Sequence, residues 1–207
     1  MKHTIRNLLF DLGNVIIDID IDGAYQRLQG LMREDVDMNA VKKALTDYEC
    51  GHISTEIFIN HMLRQCDHKV QALDVIEAWN SMLLGIPRYR LTMLEMLRPS
   101  YNVYLLSNTN ALHLEWVHRY VQRTFKISNF EDTYFDTAFY SHLLGDRKPN
   151  ASIFQRVSEE AFMTPDRTLF MDDTLENIEV AKSLGFHTHH VEPGQEIAEF
   201  LKLQEFY

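Results

Sequence analysis

Beyond residue 98 the chain alternates between short apolar segments and segments with helical periodicity, and this alternation constrains the fold more than any other feature. Strands joined by helices of this length are connected by right-handed crossovers and lie parallel to one another. An earlier apolar segment, IRNLLF at residues 5–10, adds a first buried strand. The pattern predicts an α/β fold with a mainly parallel sheet and flanking helices. The later predicted strands are NVYLLSN, a short strand within DTAFYSHLLG, RTLFMDD and FHTHHV.

The segment from about residue 22 to residue 98 has a different pattern, in which apolar residues recur every three or four positions and no strand is predicted. This helical block separates the first strand from the rest of the alternating pattern. We therefore interpret it as an all-helical cap inserted after the first strand. The predicted division is a discontinuous α/β core of residues 1–17 and 85–207, and a helical cap of residues 18–84.

Composition excludes several classes of function. The 207-residue chain has 20 Lys+Arg and 30 Asp+Glu, which gives a formal net charge of −10. It therefore lacks the stripe of basic residues with which proteins bind nucleic acids or anionic membranes. No apolar stretch of the sequence is long enough to span a bilayer. The two cysteines, Cys50 and Cys66, are too few for a disulfide framework and indicate a reducing compartment. We expect a cytoplasmic monomer or homodimer without nucleic-acid or membrane partners.

Polar and charged residues follow the predicted strands at their carboxyl ends, where open parallel sheets bind their ligands. Taken singly, each of these residues is typical of a turn, a helix cap or a solvated surface. Taken together, they bring several carboxylates to one edge of the sheet. Clustered carboxylates repel one another unless a cation lies between them, and Mg²⁺ prefers such oxygen ligands. The residues are Asp11, Ser107, Asn108, Lys148, Asp172 and Asp173.

The segments that carry these residues resemble a known family. FDLGNV, LLSNTN, GDRKP and FMDD occur in the order of the four motifs of the haloacid dehalogenase-like hydrolases. The chain is most similar to the bacterial branch typified by α-D-glucose-1-phosphate phosphatase. The resemblance implies a Rossmann-like core with a helical cap. It also implies a Mg²⁺-dependent phosphatase that hydrolyses a small phosphomonoester, such as the sugar phosphate glucose 1-phosphate, through an aspartyl-phosphate.

The resemblance assigns a metal site to four residues. Asp11 is the expected nucleophile and also a metal ligand, and Gly13 is expected to give its backbone carbonyl to the metal. The resemblance implies that Asp173 is the direct metal ligand and that Asp172 is a supporting partner or an additional contact. The sequence leaves open which of these two neighbouring aspartates binds the metal directly.

The resemblance assigns substrate contacts to the other motif residues. Ser107 and Asn108 are expected to hydrogen-bond the phosphoryl oxygens. Lys148 is expected to hold the nucleophile and to neutralise the charge of the bound phosphate.

The long separation between Asp11 and Ser107 exceeds what one crossover needs, which fits a cap inserted at this point of the chain.

The main departure from the family pattern is Gly13. Most phosphatases of this superfamily have an aspartate at this position, which protonates the leaving oxygen and later activates water. Here water or a cap carboxylate, such as Asp18 or Asp20, is the expected replacement. The vacant role keeps open a non-catalytic phospho-ligand-binding or regulatory protein. A haloacid dehalogenase that uses the same Asp11 is a further alternative. The dehalogenase is disfavoured because that reaction needs no metal, whereas this chain keeps the acidic pair.

Three histidines in FHTHHV, namely His187, His189 and His190, raise the possibility of a second metal site, because alternate strand residues share a face. No further ligand residues lie near them in the sequence. We interpret them as side chains of an edge strand.

Overall fold

The computed structural model describes residues 4–207 and contains a five-stranded, fully parallel sheet. The strand order is β5-β4-β1-β6-β7, so the first strand lies at the centre and its neighbours come from distant parts of the sequence. In β1, for example, Leu9 is paired with Tyr104 on one side and with Phe170 on the other. The strands of this sheet are β1 (Asn7–Phe10), β4 (Asn102–Ser107), β5 (Thr137–Tyr140), β6 (Thr168–Asp172) and β7 (His187–His190).

Helices cover both faces of the sheet, which explains why its strands are apolar without alternation. Leu8 and Phe10 of β1 belong to one hydrophobic cluster and Leu9 to another on the opposite face. The predicted α/β fold with a mainly parallel sheet is confirmed. The helices of this part are α5 (Arg88–Leu97), α6 (Ala111–Phe125), α7 (Phe130–Tyr134), α8 (Ser141–Leu144), α9 (Ala151–Glu160), α10 (Leu175–Ser183) and α11 (Ile197–Leu203), with a 3₁₀ turn at Pro165–Arg167.

The helical block after the first strand has a hydrophobic cluster built around Phe58, Val75 and Trp79, to which the sheet domain contributes Leu112 of α6. Acidic or hydroxyl side chains cap three of its four helices, as in the bond that the Ser54 hydroxyl accepts from the Ile57 amide. This cluster is the basis on which we propose a cap over residues 18–84. The helices are α1 (Ile21–Leu31), α2 (Met38–Glu49), α3 (Thr55–Leu63) and α4 (Ala72–Asn80).

One expectation about this block is wrong, because residues 22–98 do contain a strand. Leu83–Gly85 forms β3, which pairs antiparallel with β2 (Asp18–Ile19). The two strands form a ribbon where the chain leaves the sheet and returns to it. A strand of three residues is too short to show the alternation by which strands are recognised in a sequence.

The helical block touches the sheet domain close to the carboxyl edge of the sheet. Glu49 at the end of α2 forms an ion pair with Arg147, with 3.0 Å between Oε2 and Nη1. Gly51 approaches the backbone of His142 so closely that a side-chain Cβ would overlap its carbonyl oxygen, and its φ of 68° is also one that favours glycine. In residues 4–207, each helix is too short or too polar to cross a bilayer.

Candidate active site

The structure brings every predicted site residue to the carboxyl edge of the sheet. Asp11 follows β1 directly, Ser107 ends β4, and Asp172 ends β6 with Asp173 next in the chain. Lys148 lies in the loop between α8 and α9 and reaches across to these strands. Four separate loops therefore converge on one buried cluster of charges.

Lys148 is the centre of this cluster. Its side chain is 1% exposed, and its ammonium donates to Asp11 Oδ1 at 2.6 Å, Asp172 Oδ2 at 2.6 Å and the Leu106 carbonyl at 2.8 Å. These three contacts use all three ammonium donors. Burial lowers the pKa of Lys148, but the adjacent charges of Asp11 and Asp172 outweigh burial, and the net shift is upward. Lys148 therefore stays charged between the two carboxylates.

The nucleophile candidate Asp11 lies in an environment that opposes its ionisation. Burial raises the pKa of its carboxyl to about 7; the charge of Lys148 opposes this rise and that of Asp172 adds to it. A carboxyl must be ionised to act as a nucleophile. A divalent cation beside it would lower its pKa and supply the missing positive charge.

The acidic side chains fit such a cation. Asp11, Asp172 and Asp173 each offer a carboxylate oxygen, and these oxygens lie within 4.8 Å of one another. Within residues 4–207 this is the one group of three or more His, Cys, Asp or Glu side chains close enough to hold a metal. An all-oxygen donor set suits hard cations such as Mg²⁺ rather than Zn²⁺.

The two neighbouring aspartates differ in their surroundings. Asp172 is fully buried; its Oδ1 accepts from the Thr174 amide at 2.8 Å and from Asn177 Nδ2 at 2.9 Å, and its Oδ2 accepts from Lys148. Asp173 is partly exposed and accepts from Asn14 Nδ2 at 2.8 Å. Both carboxylates have protein partners, since Asp173 Oδ1 also accepts from the Thr174 hydroxyl at 3.2 Å, but only Asp173 is partly exposed and so accessible to a cation.

Ser107 and Asn108 face different partners. Asn108 Oδ1 accepts from the Lys148 amide and Asn108 Nδ2 donates to the Lys148 carbonyl, both at 2.9 Å, so this side chain fixes the loop that carries Lys148. Ser107 is 3% exposed, and within residues 4–207 its hydroxyl has no hydrogen-bond partner. The hydroxyl is therefore available to a ligand.

Known proteins with similar sequences and structures identify the family. The chain is 33% identical to a D-ribitol-5-phosphate phosphatase from Bacteroides thetaiotaomicron over 195 residues, which is 92% of this chain and 93% of the relative. A HAD-family enzyme from the same organism, solved with magnesium and inorganic phosphate, superposes with a TM-score of 0.80 at 32% identity, over 95% of this chain and 98% of that one. The chain belongs to the HAD family.

A further solved structure agrees with this assignment. A HAD-like hydrolase from Porphyromonas gingivalis matches with a TM-score of 0.83 and 30% identity, over 97% of this chain and 98% of that one. No protein-family model matches the chain. The predicted family is confirmed, whereas the assignment to the glucose-1-phosphate branch stays a prediction.

The two carboxylates expected to replace the missing acid of this HAD-family site each have a hydrogen-bond partner in the structure. Asp18 forms an ion pair with Arg90, at 2.8 Å between Oδ1 and Nη1. Asp20 caps α1, where it accepts from the Gly23 amide at 2.9 Å. Gly13 itself has a backbone that other residues can adopt, and an added Cβ would lie 2.8 Å from the flexible end of Ile19.

The three histidines of β7 lie on the edge strand, as predicted. His190 contacts the Asp173 carbonyl at 3.0 Å, His187 contacts the Asp166 carbonyl at 3.1 Å, and the His189 ring stacks on Phe200. Their contacts are structural, and they are not part of the metal-sized group found among residues 4–207.

Sequence reasoning missed the residues that support the motif side chains. Asn177 holds Asp172 from the first turn of α10, and Asn14 holds Asp173 from the loop after β1. A signal for Asn14 was present, because it lies within the first motif, three residues after Asp11. Asn177 has no comparable signal, since polar residues are common in the first turn of a helix.

Proposed function

We propose that this chain is a Mg²⁺-dependent phosphatase that hydrolyses a small phosphomonoester, a sugar or sugar-alcohol phosphate, through an aspartyl-phosphate on Asp11. The observation that carries the proposal is the buried Lys148 ammonium held between Asp11 and Asp172, with Asp173 open beside them. Two relatives support it, the one named as a D-ribitol-5-phosphate phosphatase and the one solved with magnesium and phosphate.

The proposed reaction has two steps, in which the chain supplies the nucleophile and the positioning groups and water supplies the proton. The Asp11 carboxylate attacks phosphorus, the bond from phosphorus to the ester oxygen breaks, and the alcohol leaves with a proton from water. A water molecule then attacks the phosphorus of the aspartyl-phosphate, which releases inorganic phosphate and restores the Asp11 carboxylate. Lys148 fixes Asp11 for attack, and the Ser107 hydroxyl donates to a phosphoryl oxygen. Such transfers depend mainly on positioning and on charge neutralisation.

Asp11, Asp173 and the carbonyl of Gly13 are the ligands that we assign to the metal. Asp172 then acts indirectly, because its oxygens hold Lys148 and the start of α10. A Mg²⁺ ion held by these ligands would offset the repulsion between the Asp11 carboxylate and the phosphate dianion.

Removal of the metal should abolish activity reversibly and should change the pH dependence of stability. The pKa of Asp11 is raised from its ordinary value of 3.8 to about 7 in the native state. Between pH 3.8 and about pH 7, the metal-free native protein therefore keeps a proton on Asp11 that the unfolded chain has lost. The metal-free protein should therefore lose stability as the pH rises through this range. Phosphatase assays and denaturation curves, each with chelator and then with excess Mg²⁺, measure both effects. Undiminished turnover after exhaustive chelation would contradict the assignment.

The glycine at position 13 should make the rate depend steeply on the acidity of the leaving group. General acid catalysis is typically worth about 10²–10⁴-fold, so glucose 1-phosphate and aryl phosphates should be hydrolysed faster than glucose 6-phosphate by a factor of this order. Ribitol 5-phosphate, also an ester of a primary alcohol, belongs with the slow group. Kinetic constants for these esters, with a haloacid as a further substrate, test the prediction and the dehalogenase alternative together.

The variant Gly13→Asp supplies the matched test. The backbone accepts a side chain here, and an added Cβ would lie 2.8 Å from the flexible end of Ile19 and 3.8 Å from Asp11 Oδ2. The variant should reduce the difference in hydrolysis rate between the esters with acidic leaving groups and the esters of primary alcohols. Equal rates on both groups in the native protein would show that another group already donates the proton.

A further inference from the structure

Asn14 occupies an unusual place in the first motif. Its φ is 52°, in the left-handed region that asparagine tolerates better than most residues. The backbone N–H of Asn14 donates to the Ile17 carbonyl at 2.7 Å. The backbone N–H groups of Ile16 and Ile17 both donate to the Leu12 carbonyl at 2.9 Å. This tight loop directs the Asn14 side chain towards the loop that follows β6.

The two ends of the Asn14 side chain have different partners. Oδ1 accepts from the Ile19 amide at 3.3 Å, in the ribbon strand β2, and Nδ2 donates to Asp173 Oδ2 at 2.8 Å. The backbone N–H of Ile19 can only donate a hydrogen bond. The atom of the Asn14 side chain that faces it must therefore be the acceptor, Oδ1. The nitrogen is therefore the atom presented to Asp173, where it makes a charge-assisted hydrogen bond.

Packing alone does not hold the Asp173 carboxylate. A cavity of about 340 Å³ lies beside the Asn14–Asp173 pair, lined also by Asp18, Arg90 and Glu192. Among residues 4–207, the Asp173 carboxylate accepts one other hydrogen bond besides that of Asn14, from the adjacent Thr174 hydroxyl at 3.2 Å. Without the Asn14 amide, Asp173 has room to rotate away from Asp11.

We infer that Asn14 is a positioning residue that fixes the Asp173 carboxylate for the cation and joins it to β2. This inference rests on the proposed function, because it takes Asp173 as a direct ligand of Mg²⁺. Outer partners of metal ligands typically affect metal affinity by about 10- to 100-fold. The expected defect is therefore in metal affinity rather than in chemistry at saturating metal.

The test is the variant Asn14→Gly, which removes the amide and keeps a residue suited to the left-handed backbone. Calorimetric titration of the metal-free protein with Mg²⁺, without substrate, should show about 10- to 100-fold weaker binding than in the native protein. The Mg²⁺ concentration for half-maximal activity should rise in parallel, while kcat at saturating Mg²⁺ stays close to the native value. Lys126→Gly is the matched control, because Lys126 also has a positive φ, 62°, and lies at the end of α6.

The possible outcomes separate this inference from the proposed function. Native Mg²⁺ affinity in Asn14→Gly would overturn the positioning role and leave the proposed function intact. Absence of Mg²⁺ binding by the native protein would overturn both. If Asn14→Gly does not fold, Asn14→Ser, whose hydroxyl is too short to span Ile19 and Asp173, is measured in its place with the same expected loss of affinity.

Discussion

Asp11→Asn should abolish phosphatase activity while leaving the fold intact. The amide keeps the shape of the carboxylate but cannot attack phosphorus, and loss of the nucleophile lowers kcat by about 10⁶-fold in a well-studied hydrolase. The substitution also removes a carboxyl that is costly to ionise, since burial raises its pKa to about 7. We therefore expect a folded, inactive protein.

Acid quenching during turnover, followed by mass spectrometry, provides the direct measurement. The native protein should carry one phosphoryl group on the peptide that contains Asp11, and Asp11→Asn should carry none. Asp166→Asn is the matched control, because Asp166 is an exposed aspartate just before β6, at the opposite end of that strand from Asp172. Turnover near the native rate in Asp11→Asn would show that another group is the nucleophile.

The fold and the members of the site could be predicted because they depend on local signals. Apolar segments of strand length separated by helices specify a parallel sheet, and such a sheet collects whatever follows its strands at one edge. Asp11, Ser107 and Asp172 are found together for this reason. The family resemblance rests on the same residues, and the similar proteins confirm it.

The contacts within the site could not be predicted, because they depend on pairs of residues far apart in the sequence. The buried Arg90 guanidinium donates to Asp18 and Glu196, 72 and 106 positions away. No pattern in the sequence indicates this pairing, which ties Asp18 to Arg90 beside the cavity that Asn14 and Asp173 also line. The Asn108 amide likewise binds the Lys148 backbone, 40 positions away, through both of its polar atoms.

The different surroundings of Asp172 and Asp173 could not be predicted either, because they too depend on contacts with residues far away in the sequence. Two adjacent carboxylates are equivalent in a sequence, and only the end of β6 decides which one is buried. Asp172 points to Lys148 and Asn177, whereas Asp173 is partly exposed and binds Asn14. Side chains of successive strand residues point to opposite sides, so neighbouring aspartates at a strand end take different roles.

Lys148→Met should inactivate the protein and destabilise it. Methionine has a similar length, but it leaves the carboxylates of Asp11 and Asp172 facing one another without a cation. Breaking a buried ion pair by removal of one partner typically costs about 3–5 kcal/mol. Without the ammonium, the pKa of Asp11 should rise further, so the loss of stability should be larger at about pH 8 than at about pH 5. Denaturant unfolding of the metal-free variant at both pH values measures this difference.

The double variant Lys148→Met/Asp172→Asn separates stability from catalysis. The new amide removes one of the two facing charges, and its oxygen can still accept from Thr174 and Asn177, as Asp172 Oδ1 does. We expect the double variant to recover part of the lost stability but none of the activity, because no ammonium holds Asp11 or offsets the charge of the phosphate. Lys182→Met, at an exposed site on α10, is the matched control for the loss of one positive charge. Recovery of activity together with stability would mean that Lys148 serves only to neutralise Asp172, and that the reaction does not depend on its charge.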